Sequence, residues 1–134
     1  MDLMNFISIG VDIVNVERIS KNIDDVNNRF INRVYTKDEI NYCMSRKNFS
    51  HHFAGRLAGK EAVSKALRLS WEKGLNWKDI EIINEENGLP RVKLHGEIKK
   101  LANERKIRNI KISISHEKDY AVAFAVTDGS MGNE

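Results

Sequence analysis

Three charged groups stand where packing alone would not put them. The stretch "FISIGVDIV" (6–14) alternates with the period of a strand, yet it sets Asp12 among Ile, Val and Gly. The stretch "FAGRLAGKEAVSKAL" (53–67) carries Ala54, Ala58, Ala62 and Ala66 at helical spacing, yet Lys60, Glu61 and Lys65 stand beside that stripe. A carboxylate buried without a partner costs roughly several kcal/mol. Asp12 therefore reads in one of three ways: on a strand face open to water, paired with an arginine, or as half of a functional site. Glu61 and Lys65 are four apart with the acid first, the spacing of a surface ion pair worth about a few tenths of a kcal/mol. The Ala stripe weakens that reading, because it implies close approach of a sheet or another backbone, with the charges flanking the contact. If Asp12 and Glu61 meet, their repulsion calls for a cation. Hard oxygen ligands with open positions suit Mg2+, whose shell substrate phosphates complete. Lys65 would reach a phosphate oxygen at the same place, and Arg46, Lys47, Arg56 and Lys60 would supply charge for further phosphates. The chemistry this implies is a magnesium-dependent enzyme acting on a diphosphate or polyphosphate compound.

The elements that must position these groups are legible in outline. In the first strand Ile7, Ile9, Val11 and Ile13 share one face; Ser8, Gly10, Asp12 and Val14 share the other. Asn15 caps a helix expected from Val16 to about Asn27. A short helical piece follows from Arg29. The next helix has Thr36 as cap and Glu39 three residues on, the capping-box spacing. Residues 49–70 form the long helix. "DIEIINEENGLPRVKLH" (79–95) reads as two strands about a turn at Asn87 and Gly88, with Pro90 at a strand start. A short amphipathic helix (97–107) leads to two strong strands joined near Glu117–Asp119. One carries Ile110, Ile112, Ile114 and His116 on one face; the other carries Tyr120, Val122, Phe124 and Val126. Ser113 and Ser115 fall on the opposite face. Without regular βαβ alternation, the order predicts an α+β domain over residues 1–127, with a mainly antiparallel sheet packed against the long helix. The polar residues 128–134 read as a frayed tail.

Composition narrows the class. The 134 residues are 41% hydrophobic, ordinary for one globular domain with a modest core. No stretch approaches the ~20 consecutive apolar residues of a membrane helix, and "MDLMNF" is not a signal sequence. Cys43 is the only cysteine, which excludes an internal disulfide and fits a cytoplasmic setting. Net charge is only +3, too mild for a dedicated nucleic-acid binder. The segment 46–73 nevertheless holds seven basic residues against Glu61 and Glu72, a local field that favours an anionic ligand or an acidic partner. His51, His52, His95 and His116 are scattered without metal-ligand spacing, and there is no nucleophile elbow, Walker loop or Gly-x-Gly-x-x-Gly.

The pieces "GVDIVNVERI" (10–19), "RFINRVYTKDEI" (29–40), "FAGRLAGKEAVSKAL" (53–67), "DIEIINEENGLPRVKL" (79–94) and "ISISHEKDYAVAFAV" (112–126) together resemble the holo-[acyl-carrier-protein] synthases, the small bacterial-type 4′-phosphopantetheinyl transferases. The resemblance implies transfer of the phosphopantetheine arm of coenzyme A to a serine of an apo-acyl-carrier protein, releasing adenosine 3′,5′-bisphosphate, in support of fatty acid biosynthesis. It implies Asp12, Glu61 and Lys65 as catalytic residues, with Asp12 and Glu61 as magnesium ligands and Lys65 on the pyrophosphate. Arg46, Lys47, Arg56, Ser64, Asn87, Gly88, Pro90, Ser115 and His116 then belong to the coenzyme site. Arg18, Arg29, Phe30 and Arg33 match the segment that docks the acidic carrier protein. Val14 stands where two-lobed members of the superfamily have another acid, so two protein carboxylates are expected. The serine proton then leaves to Glu61 or to water on the metal. The resemblance also implies a homotrimer with sites between subunits. The competing reading is a non-enzymatic module that holds RNA or another polyanion on 46–73, with the acids structural.

Overall fold

The computed structural model of the chain describes residues 5–23, 28–70 and 74–130. Strand β1 (Asn5–Asn15) pairs antiparallel with β5 (Tyr120–Ser130), and β5 pairs antiparallel with β4 (Ile107–His116), giving the order β1-β5-β4. A separate antiparallel hairpin is made of β2 (Ile80–Asn84) and β3 (Pro90–Leu94), closed by a turn with Gly88 at φ 85°. Helices α1 (Val16–Ser20), α2 (Arg29–Val34), α3 (Lys37–Met44), α4 (Phe49–Ala66) and α5 (Gly96–Glu104) complete the domain. This is the expected α+β architecture, with α4 laid along one face of the three-stranded sheet. β5 runs on to Ser130, paired with Asn5, so the tail expected from 128 does not begin there.

Two helix ends differ from expectation for local reasons. α1 stops at Ser20 because the Asn22 side chain donates to the Arg18 carbonyl at 2.9 Å, and the next amides close tighter turns onto Ile19 and Ser20. The remainder of the helix once expected to Asn27 lies outside the described residues from 24. α4 stops at Ala66 rather than near 70. Arg68 takes φ 56°, its amide donates to the Lys65 carbonyl, and the Leu69 amide donates to the Ser64 carbonyl. That is a Schellman closure with arginine at the position glycine usually fills. The capping box at Thr36 and Glu39 forms as expected.

On β5 and at Gly10 of β1 the face of the sheet that meets α4 is built from small residues, while Ile114 of β4 packs beside Gly55 and Gly59 of the helix. Ala121, Ala123, Ala125 and Thr127 of β5 are buried against the stripe Ala54, Ala58, Ala62 and Ala66, itself fully buried. Gly10 permits the closest approach: a Cβ there would lie 2.0 Å from the Ala62 carbonyl oxygen and 2.8 Å from the Ala66 nitrogen. The larger apolar residues point the other way. Ile7 is 67% exposed and Ile9 61%, and Val11, Ile13, Val122, Phe124 and Val126 join them on the outer face. Alternation in the sequence marks two faces, and side-chain size does not say which is inside.

The opposite side of α4 is fixed by a buried polar network, and this corrects the placement of Lys60 among the phosphate-facing cations. Lys60 is wholly buried; its Nζ pairs with Glu39 Oε1 at 2.8 Å and donates to the Ile80 carbonyl at 2.5 Å and the Trp77 carbonyl at 3.2 Å. Glu39 also accepts the Thr36 and Ile82 amides, and Thr36 donates to Glu81, which binds His95 at 2.8 Å. α3, α4, β2 and the entry to α5 are thereby tied together. Lys60 and Lys65 are five residues apart, about 140° around the helix, so they serve different faces.

Replacing Gly10 by Ala forces backbone against backbone. It is expected to lower stability by about 2–3 kcal/mol, read as a shift in the urea midpoint. A variant within about 0.5 kcal/mol of the parent would mean that α4 does not rest on β1 this closely.

Candidate functional site

Asp12 follows Gly10 by two residues on β1, so both face α4. Glu61 and Lys65, one turn apart, meet it from the helix. Asp12 Oδ1 accepts from Lys65 Nζ at 3.0 Å, and the same ammonium donates to the Val11 carbonyl at 3.0 Å. Lys65 thus pairs with the strand rather than with Glu61. Asp12 is neither open to water nor held by an arginine: its side chain is 15% exposed, and Oδ2 is buried with no donor among the described residues.

Glu61 stands within hydrogen-bonding reach of Asp12, and its pKa is pushed up to about 7. Burial is the main cause, followed by the hydrogen bond to Asp12 and the charge of Asp12; Lys65 and Arg18 act in the opposite direction. A proton taken up by Glu61 near neutral pH relieves its repulsion with Asp12. A proton and a divalent cation are alternative solutions to one repulsion. Two carboxylates, one with a buried unpartnered oxygen, fit a hard cation that keeps open positions for substrate oxygens. Among the described residues no three His, Cys, Asp or Glu side chains gather as a closed metal cage. Arg18, which the resemblance places on the carrier-docking segment, also reaches Glu61 with its charge, a link not visible in the sequence.

A second feature is a cleft of about 220 Å³ lined in part by Tyr42, Arg56, Asn84, Gly88, Pro90 and His116. Arg56 is buried; it donates to Asn84 Oδ1 at 2.5 Å, and its Nε has no acceptor among the described residues. The guanidinium carbons of Arg46 and Arg56 lie 4.6 and 4.3 Å from the centroid of the Tyr42 ring. Asn84 Nδ2 donates to the Gly88 carbonyl, which fixes the hairpin turn against the cleft. His51 and His52 also line it, so three of the histidines that are scattered in sequence converge here. The fourth, His95, belongs to the Glu81 network. Tyr42, His51, His52 and Asn84 were missed; the usable signal was His52 one helical turn before Arg56.

Several predicted residues lie elsewhere. Lys47 lines a neighbouring hollow with Val16, Glu17, Ser50, Lys118 and Asp119. Ser64 is buried and donates to the Glu61 carbonyl at 2.8 Å. Asn87 is exposed and accepts the Leu89 amide, shaping the turn from outside the cleft. Ser115 is on the outer sheet face opposite Val122, away from His116. Arg18, Arg29 and Arg33 are exposed, whereas Phe30 is half-buried and packs edge-on against Tyr35 at 6.3 Å.

A strand carboxylate facing a helix carboxylate, together with a separate cleft lined by arginine and histidine, defines an α+β domain equipped for a phosphate-bearing ligand. The chain belongs to the 4′-phosphopantetheinyl transferase superfamily, whose sequence model matches residues 8–125. It is 47% identical to the holo-[acyl-carrier-protein] synthase of Protochlamydia amoebophila over 120 residues, covering 90% of this chain and 96% of that protein. Identity to the holo-[acyl-carrier-protein] synthase of Thermodesulfovibrio yellowstonii is 49% over 118 residues, 88% of this chain and 95% of that one. The structure of the Helicobacter pylori holo-[acyl-carrier-protein] synthase in complex with coenzyme A superposes with a TM-score of 0.77, at 34% identity, over 89% of this chain and 98% of that one. The Chronobacterium ammoniagenes ACPS–coenzyme A complex gives 0.80 at 26% identity, over 93% and 98%.

The sign of the Glu61 shift sets a pH dependence. Folding favours its protonated form, so its contribution is fully present below the ordinary carboxylate range and is lost as the pH rises through about 7. The metal-free protein is expected to melt at lower temperature at pH 8 than at pH 6. Glu61→Gln should flatten that slope in a calorimetric or fluorescence melt. An unchanged slope in the variant would remove Glu61 as its source.

Proposed function

We propose that the chain transfers the 4′-phosphopantetheine group of coenzyme A to a serine of apo-acyl-carrier protein, giving holo-acyl-carrier protein and adenosine 3′,5′-bisphosphate, in support of fatty acid biosynthesis. The observation that carries this reading is the meeting of Asp12 and Glu61 across 49 residues of sequence, in a chain that also holds a cation-lined cleft. A polyanion-binding module has no use for a carboxylate pair at its centre.

Asp12 and Glu61 are the residues that would hold Mg2+, and an ion bound there would offset charge on the diphosphate as the bisphosphate leaves. Lys65 keeps its ammonium at the edge of the pair through Asp12 Oδ1 and the Val11 carbonyl, where it faces a diphosphate oxygen. Arg56 is aimed by Asn84 and by the Tyr42 ring, and with Arg46 and His116 it receives the adenosine 3′-phosphate. The turn at Gly88 and Pro90 borders the adenine. The serine oxygen of the carrier attacks the β-phosphorus in line, and the bond to the leaving bisphosphate breaks. Orientation of the two substrates supplies much of the acceleration. The exposed Arg18, Arg29 and Arg33 offer positive charge to an acidic helix of the carrier protein.

The assembly we infer is a homotrimer. Its support is the outer sheet face, where Ile7, Ile9, Val11, Ile13, Val122, Phe124 and Val126 lie side by side with no covering element among the described residues. A continuous apolar face of this kind marks a contact surface. Ser115 lies on that face, so in this reading it meets a neighbouring subunit rather than its own chain's cleft. Among the described residues no helix is long and apolar enough to cross a membrane. With Cys43 the lone thiol, we place the activity in the cytoplasm.

Incubation of apo-carrier protein with coenzyme A, Mg2+ and this chain is expected to add about 340 Da to the carrier, read by intact-mass spectrometry. Chelating the metal should abolish the gain, and Glu61→Gln should cut its rate by about 100-fold or more. A full rate in either case would refute the ligand assignment. Light scattering on a sizing column should give about three chain masses. An active monomer would end the trimer reading.

A further inference from the structure

The cleft carries more imidazole than its proposed role requires. His51 and His52 open the first turn of α4, and His116 ends β4. The His51 and His52 ring centroids lie 5.1 and 5.9 Å from that of His116, and the Tyr42 ring meets His52 edge-on at 5.8 Å. His51 Nε2 donates to the Lys118 carbonyl at 3.1 Å. The groups that face His52 are cations or neutral polar groups on every side. His51 and Arg56 come from its own helix, Tyr42 from α3, Arg46 from the segment after it, and His116 from the sheet. Among the described residues that line the cleft there is no Asp or Glu to balance them.

Such a cleft resists protonation when it holds no anion. His52 lies below the ordinary imidazole value, first because it is partly buried and then because His116, Arg56, Arg46 and His51 repel a further charge. A phosphate monoester brought against Arg56 reverses that field. Its negative charge stabilises imidazolium at His52, and by linkage imidazolium stabilises the bound phosphate. We propose that the cleft binds the phosphate monoester of coenzyme A together with a proton taken up by His52, so that affinity for that end of the coenzyme rises as the pH falls through neutrality. The inference rests on the cleft being the coenzyme site.

Isothermal titration calorimetry tests it on the full chain in its native assembly. Coenzyme A and dephospho-coenzyme A are each titrated in two buffers of different ionisation enthalpy, between pH 6.5 and 8. Both ligands carry the same diphosphate, so protons exchanged at Asp12 and Glu61 cancel in the difference. The monoester itself has its second ionisation near pH 6 and is mostly dianionic over this range. The expected result is uptake of about half a proton at pH 7 for coenzyme A and close to none for dephospho-coenzyme A. The preference for coenzyme A should then rise about fivefold from pH 8 to pH 6.5. His52→Gln keeps a neutral polar side chain and should abolish both the uptake and the rise. Coenzyme A bound with no net uptake, or with equal uptake for both ligands, overturns the proposal while leaving the coenzyme reading intact. So does uptake unchanged in His52→Gln. Dephospho-coenzyme A bound as tightly as coenzyme A at every pH would instead overturn the placement of the monoester in this cleft, and the proposal with it.

Discussion

The contact between Gly10 and the Ala62 carbonyl governs the rest of the molecule. With no side chain at residue 10, the backbone of α4 descends onto β1 until its Ala stripe touches the sheet. The same descent brings the next inward residue of the strand, Asp12, level with Glu61 and Lys65. A larger residue at 10 would lift the helix, and the carboxylate pair would separate with it. Ala121, Ala123 and Ala125 extend the small-residue floor across β5. The site is therefore a by-product of packing, and its geometry is as stiff as the core beneath it.

The far side of α4 is held by charge. Lys60 could not be buried without Glu39, and Glu39 in turn is surrounded by amide donors and Thr36. Burial lowers the pKa of the Lys60 ammonium and Glu39 counters the shift, so the pair stands or falls together. The network passes from α3 through α4 to the β2–β3 hairpin, the hairpin that contributes Asn84, Gly88 and Pro90 to the cleft. Packing on the sheet side sets the height of the helix, while the ion pair sets its rotation and ties it to the hairpin. Both are needed to fix α4, which carries Arg56 toward the hairpin and Glu61 toward β1.

These two constraints explain which parts of the molecule were legible in advance. The elements were, because alternation, the Thr36–Glu39 box and the Asn87–Gly88 turn are local signals. The Asp12–Glu61–Lys65 set was legible because charge beside an Ala stripe is locally inconsistent, and such conflicts mark sites. The inward face of the sheet was not. On β1 the apolar bulk lies on Ile7, Ile9 and Val11, while Ser8 and Gly10 and, on β5, Ala121, Ala123 and Ala125 face the helix, an inversion that makes sense only once the helix is known to lie so close. Lys60 and Lys65 look alike in sequence and are separated only by rotation about the helix. The histidines looked scattered because the cleft takes them from α4 and β4, which come together only in three dimensions.

The outward bulk and the inward smallness have one cause. A three-stranded sheet has two faces, and α4 needs the smooth one to bring its charges down to Asp12. The residues with apolar area left to bury are then displaced to the other face, where the described parts of the chain provide nothing to cover them. A side chain of valine, isoleucine or phenylalanine gains about 1.5–3 kcal/mol when it leaves water, so seven of them on one face form a strong drive to association. Site and assembly are in this sense a single design problem. The flatness that lets a carboxylate pair form on one side of the sheet leaves the apolar surface on the other, and the two sides are immediate neighbours in sequence: Val11 and Ile13 point outward on either side of inward Asp12.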